Sequence, residues 1–204
     1  VAGLEAARVA AERGNQVTLA EASDKLGGQF RLAGLTPRRH QIIDYLDWFE
    51  RQLTRLQVKV LLNTPLDAEE VQDMGADVVI VATGSLPDGK GFQRAMPEHD
   101  ALPGIERGNV ASAEDVMARI ARPGRRVIVL DETANWKGAG VALTLAEGGH
   151  EVTVVTPAPA VMTEMARTNA DIQLRSRLRE LGVIMRTETI LREWYGNGAA
   201  IQPF

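Results

Sequence analysis

Apolar and polar positions along this 204-residue chain follow two alternating periods. Over residues 3–14, Leu4, Ala7, Ala10 and Ala11 recur at helical spacing and the run ends at Gly14. Val17–Glu21 is a short apolar run closed by an acid, as in a buried parallel strand. Ile42, Leu46, Phe49, Leu53 and Leu56 mark one face of a helix over 41–56. Val58–Leu62 and Asp77–Ala82 are predicted strands, and Asp67 is a predicted N-cap for a helix reaching Met74. The pattern lapses over 85–108, where Pro87, Gly89, Gly91, Pro97, Pro103, Gly104 and Gly108 fall together. It then resumes. Ser112 is placed to cap a helix over 113–120, followed by a strand Val127–Asp131, a helix over 138–148 and a strand Glu151–Thr156. A helix over 164–181 ends at Gly182, and Val183–Thr187 and Ile190–Trp194 are predicted strands.

The second half repeats the first. A shift of 135 residues carries Gly3, Ala7, Ala11, Glu12, Gly14, Val17 and Thr18 onto Gly138, Ala142, Ala146, Glu147, Gly149, Val152 and Thr153 without a change of residue. All are packing or turn positions. The expected fold class is therefore α/β, with tandem Rossmann-like units of the FAD/NAD(P)-binding type on parallel sheets. The expected division is a first unit over 1–95, a linker over 96–108 and a second unit over 109–204. If Gly3 is the third glycine of a G-x-G-x-x-G loop, the first strand and the other two glycines precede Val1. The expectation is thus a fragment truncated at the N-terminus, and at the C-terminus as well, that binds cofactor weakly in isolation.

The two copies differ where chemistry would reside. Gly3 heads a helix whose N-terminal amides and dipole suit a pyrophosphate. Glu21, at a strand end, has the spacing of a carboxylate that takes the adenosine ribose hydroxyls. In the second copy the loop glycines are replaced by Thr133 and Asn135, with Trp136 and Lys137 adding bulk, and the strand-end acid becomes Thr156. A phosphate loop needs glycine for its turn and for close backbone approach. The second site reads as weakened or lost, unless Lys137 or Arg167 rebuilds it.

Composition narrows the chemistry. There are no cysteines, so disulfides, thiolate nucleophiles and cysteine-bound metals are excluded within the chain. His40, His99 and His150 are scattered and suggest no metal site. The net charge of −4 lacks a basic stripe, which argues against nucleic acid, and no apolar run is long enough to span a membrane. No side chain stands out as nucleophile, general base or metal ligand, so no catalytic residue is assigned.

The glycine helix, Glu21, Gly27-Gly28-Gln29 and Ala82-Thr83-Gly84 together resemble the FAD-binding half of two-dinucleotide-fold flavoproteins. More closely, Leu26–Phe30, Gly75–Gly84 and Glu151–Pro157 resemble the C-terminal half of the NADH:flavin oxidoreductases related to trimethylamine dehydrogenase and 2,4-dienoyl-CoA reductase. That resemblance covers most of residues 1–185. It implies FAD or ADP in the first unit, with Gly3 at the pyrophosphate and Glu21 at the adenosine ribose. Gly27, Gly28 and Gln29 would line the cofactor, Ala82, Thr83 and Gly84 would close its adenosine-side pocket, and Ala2, Ala22, Lys25 and Val60 are further cofactor-binding residues. It implies FMN and a 4Fe-4S cluster only in an N-terminal barrel domain of the same protein, with NAD(P)H left open. It also implies a cytoplasmic homo-oligomer whose electrons leave to an electron-transfer flavoprotein. The altered second loop favours the amine-dehydrogenase branch. An NAD(P)H-dependent enoate reductase and a purely structural ADP-binding module are the alternatives.

Overall fold

The computed structural model describes residues 1–203, in two units that meet between Leu86 and Pro87. The first contains α1 (Ala2–Glu12), β1 (Thr18–Ala20), α2 (Gly28–Gly34), α3 (Gln41–Arg55), β2 (Lys59–Leu61) and α4 (Ala68–Asp73). β1 and β2 pair in parallel, with Leu19 opposite Val60. Leu46, Phe49 and Leu53 of α3 are essentially inaccessible and pack with Leu4, Ala7, Leu26 and Val58. This is the expected outcome of apolar residues at i, i+3 and i+7. At α4, Asp67 accepts from the Glu69 and Glu70 amides while Glu70 reaches back to the Asp67 amide. This reciprocal cap explains why so short a helix, with no buried residue, starts where it does.

The second unit begins at Pro87 and contains α5 (Ala113–Met117), β3 (Arg126–Leu130), α6 (Trp136–Glu147), β4 (Glu151–Val155), α7 (Ala170–Glu180), β5 (Ile184–Arg186), β6 (Thr189–Trp194) and β7 (Ala199–Pro203). The order β3-β4-β5 is parallel throughout. α6 buries eight residues, Gly138 to Ala146 except Thr144, so it lies close against its surroundings. Small residues permit that approach. Both units are thus α/β with parallel pairing, the expected fold class.

Several expectations are corrected. Asp77–Ala82 forms no ladder with any described strand, and Val78 and Val81 are 76% and 79% exposed. Its apolar composition suits a buried strand, but a strand exists only through a partner's hydrogen bonds. Residues 96–108 belong to the second unit and do not link two units. There Met96 and Leu102 are buried, and Gln93 acts as a strand mimic: its Nε2 donates to Leu191 O and its Oε1 accepts from Leu191 N. β6 and β7 form an antiparallel hairpin, not a further parallel layer. The helix over 164–181 is broken into a 3-10 turn (Thr163–Thr168) and α7 by Asn169, whose φ is +55°. No described helix is long and apolar enough to cross a membrane.

Candidate functional site

In the first unit, the chain leaves β1 directly into Glu21. Its amide donates to Leu61 O and its carbonyl accepts from Thr64 N, both at 2.9 Å. Its carboxylate Oε1 accepts from Ser23 N at 3.0 Å. The carboxylate is therefore fixed, half-buried, at the carboxyl end of a parallel strand, where α/β sheets place their ligands. α1 starts at Ala2, and its first turn presents backbone amides that have no partner within the helix. Such amides suit an anion. Gly3, in that turn, is a packing position: a Cβ there would stand 3.3 Å from Ala82 Cβ and 3.8 Å from Leu19 Cδ1.

Gly27 and Gly28 carry φ values of +112° and +50°, the first of which L side chains rarely adopt. A Cβ on Gly27 would also come within 2.7 and 2.9 Å of the two Leu46 methyls. Glycine there lets the loop cross α3 and turn into α2, an element the sequence pattern did not predict. Gln29, in the first turn of α2, donates through Nε2 to Ser85 O. That bond ties α2 to the segment following Gly84, whose φ is +73°. The structure thus brings Gln29 to Ser85, Gly3 to Ala82 and Val60 to Leu19. Ala2, Ala22, Lys25, Ala82, Thr83 and Gly84 are exposed. Ser85 had no sequence signal, since only the fold makes it Gln29's partner.

The second unit arranges the corresponding parts differently. Thr156, the counterpart of Glu21, is wholly buried, and its Oγ1 accepts from Ala158 N at 3.3 Å. Asn135 caps its own helix, accepting from Lys137 N at 2.8 Å. Lys137 is ion-paired to Glu114 at 2.7 Å and so is committed elsewhere. Arg167 lies in the 3-10 turn. Sequence reasoning missed Asp131. It follows β3, is 2% exposed, and accepts from Ala134 N at 3.0 Å and from Thr133 Oγ1 at 3.3 Å through Oδ1. Its Oδ2 is buried without a partner. Ala134 itself has φ of +46°, a left-handed position for a residue with a side chain.

Burial raises the Asp131 carboxyl above the ordinary carboxylate value, with the Glu132 charge adding to the shift; the Ala134 and Thr133 bonds oppose it. An acid whose folded pKa is raised is destabilising when ionised. Below the ordinary value both folded and unfolded forms hold the proton and nothing is lost. As pH rises from that value to the raised one, the unfolded chain releases its proton first and stability falls. Asp131→Asn, lacking that titration, gains stability over wild type across this interval. Urea midpoints measured in acid and at neutral pH should show the difference growing with pH and then levelling.

Residues 1–202 match the family model for the pyridine nucleotide-disulphide oxidoreductases. The chain is 37% identical over 199 residues to the N,N-dimethylglycine/sarcosine dehydrogenase of Chromohalobacter salexigens, covering 98% of this chain and 28% of that protein. It is 32% identical over 201 residues to the NADH oxidase of Thermoanaerobacter brockii, covering 98% of this chain and 29% of that one. The solved 6-hydroxypseudooxynicotine amine oxidase of Pseudomonas geniculata N1 superposes with a TM-score of 0.90 at 32% identity, over 98% of this chain and 30% of that chain. The chain thus spans under a third of the length of these relatives, which are oxidoreductases. The resemblance to the flavin oxidoreductases related to trimethylamine dehydrogenase holds over nearly the whole chain, and such folds bind FAD or NAD(P). By its sequence and its fold, the chain belongs to the pyridine nucleotide-disulphide oxidoreductase family.

Proposed function

We propose that this chain is the nucleotide-binding part of a flavin-dependent oxidoreductase acting on an amine of the N-methyl class. One observation carries the reading: the two units are unequal. The first presents a carboxylate at a strand end and glycines where the chain must turn sharply. The second presents a buried threonine, a self-capped helix and a committed lysine at the corresponding places. The residues of the first unit fit an adenine nucleotide, FAD or ADP; those of the second do not.

In the first unit the α1 amides would face the pyrophosphate, with Ala2 and Gly3 small enough to let it approach. Glu21 would accept from the ribose hydroxyls, with Ala22 and Lys25 beside it. Gly27, Gly28 and Gln29 would form one wall, Ala82, Thr83 and Gly84 another, and Val60 the floor beneath. A bound flavin supplies hydride and electron transfer that no side chain here provides. The cysteine-free sequence rules out dithiol exchange within the chain. Amine oxidation itself belongs to FMN and an iron–sulfur centre in a barrel domain of the same protein, with electrons leaving to an electron-transfer flavoprotein in the cytoplasm.

The relative that oxidises NADH supports a second reading, in which a nicotinamide nucleotide is the electron donor. Anaerobic mixing of the full-length protein separates the two. Bleaching of the flavin absorbance by dimethylglycine or sarcosine and not by NADH or NADPH is the expected result. Rapid bleaching by NADH or NADPH would overturn the amine reading.

A further inference from the structure

The carboxylate of Asp131 lies directly against Gly138 in the first turn of α6. A Cβ on Gly138 would fall 2.6 Å from each of its oxygens. In a dinucleotide-binding unit that third glycine lets the helix pack closely on its strand, and the amides of the preceding loop and of the helix start receive the pyrophosphate. Here the Ala134 amide and the Thr133 hydroxyl already point into Asp131. The Asp131 side chain is 98% buried by its 2% exposure, yet one oxygen has no partner. A carboxylate left so is costly for packing alone, which points to a task at the helix start.

We propose that Asp131 is a built-in anion that holds the phosphate position of the second unit and is the residue that denies this unit a dinucleotide. The proposal rests on the reading that the second unit takes no nicotinamide nucleotide, and it adds the determinant. Asp131 acts in two ways. Its charge repels an incoming phosphate at short range, and its Oδ1 uses the loop amide that the phosphate would need. Thr133 and Asn135 shape the loop, but Asp131 sets its charge. The ligand class excluded is a pyrophosphate-bearing nucleotide.

The test uses the full-length protein with Asp131→Asn and Asp131→Gly. Asparagine keeps the shape and the bond from Ala134 but removes the charge; glycine removes both. The probe is inorganic pyrophosphate, titrated calorimetrically and located in soaked crystals of the same proteins. Asp131→Asn should bind it at the start of α6 more tightly than wild type by about tenfold or more, given the strength of a like-charge contact at short range. Asp131→Gly should bind it more tightly again. If both variants unfold at or above the wild-type temperature and neither gains pyrophosphate at α6, this proposal is overturned while the amine reading stands. If wild type itself binds pyrophosphate or NADH at α6, both fall together.

Discussion

Glu21→Ala in the full-length protein weakens adenine-nucleotide binding by about 10- to 100-fold. Hydrogen bonds to a charged acceptor contribute roughly 1.5–3 kcal/mol each, and each ~1.4 kcal/mol is a factor of ten in affinity. The carboxylate is held by the Ser23 amide and by the backbone bonds that anchor residue 21 to the end of β2. Glu21→Gln keeps an acceptor but loses the charge, and falls between. Nucleotide released on denaturation and quantified by absorbance reads the loss. The same variant separates a redox role from a structural one. If electron transfer persists after the nucleotide is lost, the nucleotide serves the fold; if it stops while the protein remains folded, the nucleotide carries electrons.

The second large effect is on stability. Gly27→Ala forces a side chain onto a backbone with φ of +112° and drives its Cβ to within 2.7 Å of Leu46. Leu46 is fully buried and cannot move aside without disturbing Phe49 and Leu53. Backbone strain and overpacking each cost about 1–3 kcal/mol, so the variant should lose about 2–6 kcal/mol. Gly28→Ala, at φ +50° with nothing within 4 Å of its Cβ, should lose much less. Urea titrations of the pair distinguish the account from one in which both glycines are mere loop residues, which would make the losses equal. Because Gly27 aims α2, Gly27→Ala should also loosen the Gln29 bond to Ser85.

What could be read from sequence follows from the range of the forces involved. α3 was legible because burial at Leu46, Phe49 and Leu53 imposes a helical period. The starts of α4 and α5 were legible because Asp67 and Ser112 cap amides within three residues. Asp77–Ala82 has the composition of a strand, but pairing is not encoded in the segment itself. α2 escaped notice because its entry depends on two glycines at positive φ, one of them excluded from any side chain by Leu46. β7 carries no alternating pattern and contains Pro203; it exists through its pairing with β6.

The candidate site divides in the same way. Glu21 and Gly3 were singled out from spacing along one strand and one helix, which local sequence records. Residues 82–84 were expected at a strand end and are instead exposed and outside any ladder, with Ala82 next to Gly3. The altered loop of the second unit was visible at Thr133 and Asn135. Asp131 was not, since a single acid after a strand is ordinary. Only the fold brings Gly138 and the Ala134 amide against its carboxylate.

The central claim is that one unit holds a nucleotide and the other has been closed to it. The most direct measurement is a crystal structure of the full-length protein grown with excess ADP and NADH. The account predicts adenine-nucleotide density with its ribose beside Glu21, and none beside Thr156 or at the start of α6. Nucleotide density at Thr156, or an empty position beside Glu21, would contradict it.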